Sequence, residues 1–223
     1  MGRINMKYGD LPVNLGQYDI KCDEMMFTQY MPIKLSKNEA EMEQDMSYSA
    51  DPRFDCFRPI IVAAEDDFLE QFGYDAYEAS YIYLTAKHLY QAPNTSFNRF
   101  GYHSDGFMTP DINYVWCNSS PTIFNNSEFN ITQEDVISMV EMNQQANENN
   151  EVTYGNNTLL RLNEFNIHKV GEHCKGGMRT FVKISFSQEK YNLVGNAKNY
   201  LLDYDWEMVE RKNERNIPHT KIN

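Results

Sequence analysis

The sequence predicts a mainly β chain with flanking helices, an α+β fold whose second half is a β sandwich or barrel. Three observations carry this. From Phe97 onward, short strand-like segments ("INYVWCN", "TLLRLNEFNIHKV", "RTFVKISFS") are separated by turn residues. Two longer stretches elsewhere have helical length or spacing. The chain has 223 residues, 41% of them hydrophobic, enough for one domain with a real core.

Taken in order, the first fifty residues mix short apolar runs, "MMFTQYMPIKL" among them, with the acidic stretch "SKNEAEMEQDMSYSADP". That acidic stretch reads as an exposed loop or short helix. "RPIIVAA", Arg58 to Ala64, reads as a buried strand. In "DDFLEQFGYDAYEASYIYLTAKHLYQ" the apolar residues include Tyr77, Ala79, Tyr81 and Leu84, at mixed spacings. Length and the absence of Pro favour one helix there, interrupted near Gly73, with His88 on its face. Further on, Thr132-Gln133-Glu134-Asp135 has the form of a capping box. "EDVISMVEMNQQA" follows, with Val136, Met139 and Val140 at helical spacing. "NENNEVTYGNN" is a polar loop, and "ERKNERNIPHTKIN" is a polar surface tail. The expected organisation is a single domain over 1–223. Residues 1–92 would pack strands and a helix on a β core at 93–190, and 191–223 would form a C-terminal extension.

The net charge is -12 and the sequence pI about 4.8. Lys and Arg are scattered, apart from a small cluster at Arg211, Lys212 and Arg215, so no basic stripe is available to grip phosphates. General nucleic-acid binding is disfavoured, although a narrow basic channel is compatible with this balance. Cys22, Cys56, Cys117 and Cys174 are widely spaced with no CxxC pair, which argues against a zinc ribbon or a redox motif. The even count of four leaves two disulfides open, but the start, "MGRINMKYGD", lacks an apolar signal region, and the expectation is a cytoplasmic protein with free thiols. No apolar run approaches the ~20 residues of a membrane span.

Chemistry concentrates in "FNRFGYHSDGFMTPDINYVWC". His103 and Asp105 are two apart, and on an extended segment alternate residues project from one face. The chain has five His. Of these, His168 stands at the end of a strand-like run that could lie beside the first. Two imidazoles and one carboxylate on one side of an ion leave open positions, the arrangement of non-haem Fe(II) sites that activate oxygen. His173, in the following turn, is the substitute for His168. Eleven residues after His168, beyond the Gly176-Gly177 turn, comes Arg179. Its planar guanidinium suits a carboxylate better than Lys175 or Lys183 would.

The order H-x-D, a gap of about sixty residues, "HKV", a Gly turn and then Arg resembles the Fe(II)/2-oxoglutarate-dependent dioxygenase superfamily. The lead-in Tyr154 to Leu162 also resembles the strand before the distal His. The resemblance covers roughly Phe97 to Phe186. It implies a double-stranded β-helix core, a cupin-like jelly roll. It implies that His103, Asp105 and His168 hold Fe(II) and carry catalysis. Arg179 would anchor the far carboxylate of 2-oxoglutarate, with Thr180, Tyr114 or Tyr102 adding a hydrogen bond. Activity would be hydroxylation of a small molecule or protein side chain, consuming O2 and releasing succinate and CO2. Phe100, Phe107, Tyr114 and Trp116 would wall the pocket or simply form sheet core. The segment from Asn118 to Asn150 would cover its mouth. The alternatives are a cupin-type metalloenzyme without 2-oxoglutarate and a non-catalytic β-sandwich binding module.

Overall fold

Two antiparallel sheets and three helices make up the computed structural model, which describes residues 7–38, 48–95, 100–171 and 175–211. The strands are β1 (Val13–Gln17), β2 (Met26–Lys34), β3 (Tyr81–Gln91), β4 (Ile112–Cys117), β5 (Ile123–Asn125), β6 (Glu151–Thr153), β7 (Thr158–Leu162), β8 (His168–Lys169) and β9 (Gly177–Ser187). The helices are α1 (Arg58–Phe72), α2 (Tyr74–Ala79) and α3 (Asp135–Gln145). The larger sheet has the order β1-β7-β4-β9-β3-β2 and the smaller β6-β5-β8. The fold is therefore mainly β, with few helices.

Two expected elements are corrected. "RPIIVAA" is the start of α1, not a strand. Pro59 falls in the first turn, where its missing N–H costs nothing. Ile60, Ile61, Ala64 and Phe68 then recur at helical spacing and are buried. The expected long helix ends at Ala79, and Tyr81–Gln91 is a strand. It pairs with β9 along its whole length, from Tyr81↔Ser187 to Gln91↔Gly177. Its residues sort by twos, as a strand requires. Ile82, Leu84 and Ala86 join the core beneath α1, while Thr85 and Lys87 face a cavity on the other side.

The same alternation runs across the larger sheet. Tyr114 and Trp116 of β4, with Val182, Ile184 and Phe186 of β9, pack against α1. There the Phe68 and Phe186 rings stack at 4.2 Å. Each such fully buried side chain stabilises the fold by about 1.5–3 kcal/mol. Asn113, Val115, Arg179, Phe181 and Lys183 point the other way, into the cavity. One sheet thus has an apolar back face, sealed by a helix, and a polar front face. The cap of α3 also differs from the expected box. Glu134 accepts from the Ile137 N–H, while Thr132 is engaged by Glu141.

Candidate metal centre

The cavity on the front face holds about 640 Å³. His103 and His168 meet at its wall as an antiparallel bridge. His103 N donates to His168 O at 2.9 Å, and His168 N donates to His103 O at 2.9 Å. Directly opposed residues present their side chains on the same face, and the two imidazole centroids are 4.6 Å apart. β8 is held in turn by β5, with Phe124 opposite His168. Ser104 points away and donates to the Glu164 carbonyl, so Asp105 returns to the face of His103.

Local structure fixes the segment that carries His103. Asn143 of α3 clamps the backbone of Tyr102, accepting from its N–H at 2.8 Å and donating to its carbonyl at 2.9 Å. Gly101 makes this possible. Its φ is +80°, and a Cβ there would collide with the Asn143 side chain. On the far side, Gly176 begins the turn into β9 at φ +81°, where a Cβ would meet Pro93.

His103, Asp105 and His168 place one ligand atom each within 4.8 Å of one another, and such a group is compatible with a metal ion such as iron. The imidazole orientations fit this. His168 Nδ1 lies 2.9 Å from the Asn166 carbonyl, and His103 Nδ1 lies 3.1 Å from that of Gly101. A carbonyl only accepts, so both Nδ1 atoms carry the proton, which is the tautomer whose Nε2 can ligate an ion. His168 Nε2 stands 3.9 Å from Asp105 Oδ2. Burial pushes the His168 imidazole down, against the pull of Asp105, which favours the neutral ligand form. Burial alone would raise the Asp105 carboxyl. The charge of Lys183, then those of His168 and His103, holds it well below the usual carboxylate range.

Lys183, a weaker carboxylate anchor than Arg179 by residue type, touches the triad directly. Its ammonium donates to Asp105 Oδ2 at 2.9 Å and to Tyr30 Oη at 3.0 Å. Burial opposes its charge, but Asp105 and Tyr30 keep it protonated. Arg179 lines the cavity as expected. Its guanidinium also donates to the Ser119 carbonyl through Nε at 2.9 Å and to the Ser120 carbonyl through Nη2 at 3.0 Å. Lys87 of β3 is a third cation on this floor, which the reading of that segment as helix hid. Burial and the like charges of Lys183 and Arg179 push it down to about 8. The signal available in the sequence was the strand period itself. Arg179, Phe181 and Lys183 alternate onto one face.

The other candidates lie elsewhere. Tyr114 is on the back face, and its hydroxyl donates to Asp67 at 2.7 Å. Thr180 also points backward, with Oγ1 2.8 Å from Nδ1 of His88, itself a buried strand residue. Tyr102 is buried beside α3 and donates to Glu151. None of these three lines the cavity, because each alternates to the opposite side from its cavity-facing neighbour. Of the expected aromatic wall, Phe107 lines the cavity, Trp116 belongs to the back core and Phe100 is exposed. The segment Asn118 to Asn150 contributes both β5 and α3, and α3 walls the cavity through Asp135, Val136 and Met139. His173 lies outside the described residues. Among the described residues, no helix is long and apolar enough to cross a membrane.

No protein-family model matches the chain, and neither does any curated protein. Among solved structures, the crystal structure of EvdO2 from Micromonospora carbonacea var. aurantiaca is similar at 14% identity, with a TM-score of 0.39. That match covers 61% of this chain and 60% of the other, so the chain spans less than two thirds of the neighbour's length.

Proposed function

We propose that the chain is a mononuclear metal enzyme, an Fe(II)- and 2-oxoglutarate-dependent oxygenase that hydroxylates a small molecule or a protein side chain. The observation that carries this reading is the pair of imidazoles with Nδ1 tied to backbone carbonyls, gathered with Asp105 so that one ligand atom of each lies within 4.8 Å of the others. Two neutral imidazoles and one ionised carboxylate match the preference of Fe(II) for a facial N2O set with open positions. The strand order supports a double-stranded β-helix beneath it. Along the chain, β3, the His103 bridge, β4, β5, β6, β7, β8 and β9 pass between the two sheets in the manner of a wound jelly roll.

When bound, Fe(II) would supply oxygen activation coupled to oxidative decarboxylation of 2-oxoglutarate to succinate and CO2. The protein's own residues do the rest. His103, Asp105 and His168 would hold the ion. Lys87, Lys169, Arg179, Lys183 and Arg211 line the cavity against Asp105, Asp111 and Asp135, an excess of positive charge suited to a dicarboxylate. Phe107, Val136 and Met139 give the wall an apolar part beside the reacting centre. One observation favours a second reading, a cupin-type metalloenzyme without 2-oxoglutarate. The Arg179 guanidinium already serves the Ser119 and Ser120 carbonyls.

Anaerobic addition of Fe(II) and then 2-oxoglutarate separates the two. The expected result is a weak visible charge-transfer band that needs both components and is absent in His168→Gln. Lys87→Met or Arg179→Met should raise the 2-oxoglutarate concentration required by roughly 10–100-fold, the loss of one charge-assisted contact. An iron-loaded, folded protein with no band rules out 2-oxoglutarate and leaves the second reading.

A further inference from the structure

Away from the cavity, two cysteines that are distant in sequence come together. Cys22 lies in the segment joining β1 to β2, and Cys56 lies in the short 3-10 helix Pro52–Phe57 that leads into α1. Their Sγ atoms are 2.8 Å apart, and both side chains are half-buried against the back-face core. The contact is specific. The segment around Cys22 is held to the sheet by the Trp116 indole, which donates to the Tyr18 carbonyl at 3.1 Å, and by Tyr18 N, which donates to Asn157 O at 2.8 Å. Cys56 is held by the capped 3-10 turn, where Asp51 accepts from Arg53 N. Two anchored backbones therefore aim two thiols at each other.

A metal does not explain the pair. Among the described residues, the His103, Asp105 and His168 group is the only place where three or more His, Cys, Asp or Glu donors gather at ligand distance. Cys117, by contrast, is buried near the Ser120 carbonyl on the cavity side of β4.

We propose that Cys22 and Cys56 form a disulfide that staples the edge of the larger sheet to the start of α1. The bond would close a loop of 34 residues, counted as the difference between the two positions, and that loop contains β2, the outermost strand beside β3. An edge strand has one unpaired side and frays first, so a covalent closure there removes the freedom that fraying needs. The oxidant is a low-molecular-weight disulfide such as glutathione disulfide. One cysteine thiolate attacks a glutathione sulfur and expels glutathione thiolate. The second cysteine then attacks the mixed disulfide and expels the other. One S–S bond breaks and one forms, and the two protein thiol protons end on two glutathione thiols. Burial raises both thiols, which keeps thiolate scarce and the exchange slow. The pair suits a structural staple better than a fast sensor.

The test uses the full chain, fully reduced and then incubated with glutathione disulfide at neutral pH. The expected product is lighter by two hydrogen masses, titrates two fewer thiols after denaturation, and yields a Cys22–Cys56 linked peptide. It should melt roughly 5–15 °C above the reduced protein. The double variant Cys22→Ser/Cys56→Ser should show the same melting temperature with and without oxidant. Retention of all four thiols, a stable glutathione adduct on either cysteine, or a cross-link through Cys117 or Cys174 would each overturn the proposal.

Discussion

The two faces of the larger sheet each bury an aspartate with a cation and a tyrosine, yet they are built for different ends. On the back, Asp67 of α1 meets Arg161 of β7 and Tyr114 of β4. Arg161 Nη1 reaches Oδ1 at 2.8 Å and Oδ2 at 2.7 Å, and the Tyr114 hydroxyl adds a third bond to Oδ2 at 2.7 Å. That carboxylate is spent on holding α1 to the sheet. On the front, the cation paired with Asp105 is Lys183, which touches Oδ2 alone, and the His103 and His168 imidazoles gather at the same carboxylate, His168 Nε2 at 3.9 Å. The Asp105 side chain is 23% exposed, against 14% for Asp67, because it opens on the cavity. Residue types do not separate a structural cluster from a candidate metal centre. What separates them is whether the protein's own donors saturate the carboxylate, and whether neutral nitrogens converge on it.

The sharpest way to break this contrast is a pair of variants with opposite readouts. His168→Gln should lose metal affinity by more than the roughly 10–100-fold typical of losing an outer-shell partner. Its stability should change by no more than about 1 kcal/mol. Arg161→Met should do the reverse. It leaves Asp67 charged and part-buried without its cation, at a cost of about 3 kcal/mol. That corresponds to a melting temperature roughly 6–12 °C lower for a chain of this size. Metal uptake should stay at the wild-type level. Iron analysis after desalting and a thermal melt measure both, and a variant that moved both readouts together would erase the distinction.

The front site was more legible in the sequence than the sheet that bears it. His103, Asp105 and His168 could be picked from residue type and spacing, because a two-residue period on a strand is a local rule. Tyr81–Gln91 could not. Both of its faces are buried, so it shows no alternation of apolar with polar residues, and its length without Pro looks helical. Arg58–Phe72 failed in the opposite sense. Its Ile60-Ile61-Val62 run imitates a strand, and only Pro59 and the later Ala64 and Phe68 mark the helix. Those two errors hid Lys87, and they left the direction of Lys183 open. Which of two alternating strand faces looks into a cavity is decided by the helix packed on the other side, a contact no local pattern contains. Tyr114 shows the same limit. The resemblance implies a cofactor contact for it, but it faces α1 and Asp67.

A stability loss of similar size sharpens the role of Lys183. In Lys183→Met, Asp105 remains a carboxylate in a part-buried place with its strongest partner gone. The metal-free protein should lose about 3 kcal/mol. A divalent ion restores an opposite charge at the same spot, so the rise in melting temperature on adding Co(II) or Fe(II) should be larger in the variant than in the wild type. Equal rises in the two proteins would mean that Asp105 does not hold the ion.

The smallest expected effect is a pH slope in the metal-free protein. Folding lowers the His168 pKa, so across the window between its unfolded and folded values the unfolded chain binds more protons than the native one. Stability therefore rises with pH in that window. This contribution is fully present above the unfolded value of about 6.5 and is lost as pH falls from there through the lowered folded value. Asp105 acts separately and further down. Its depressed carboxyl stabilises above the unfolded value of about 3.9, a contribution lost only as pH falls through the still lower folded value. One imidazole sets an upper limit of about 1.4 kcal/mol per pH unit on the first slope. Urea melts at intervals from about pH 5 to 7.5 would resolve it. His168→Gln should flatten that stretch of the curve while leaving the acid limb in place. Identical slopes in the two proteins would mean that the front imidazole gains its proton on folding as readily as in the open chain, and would remove the electrostatic basis for its neutral, ion-ready form.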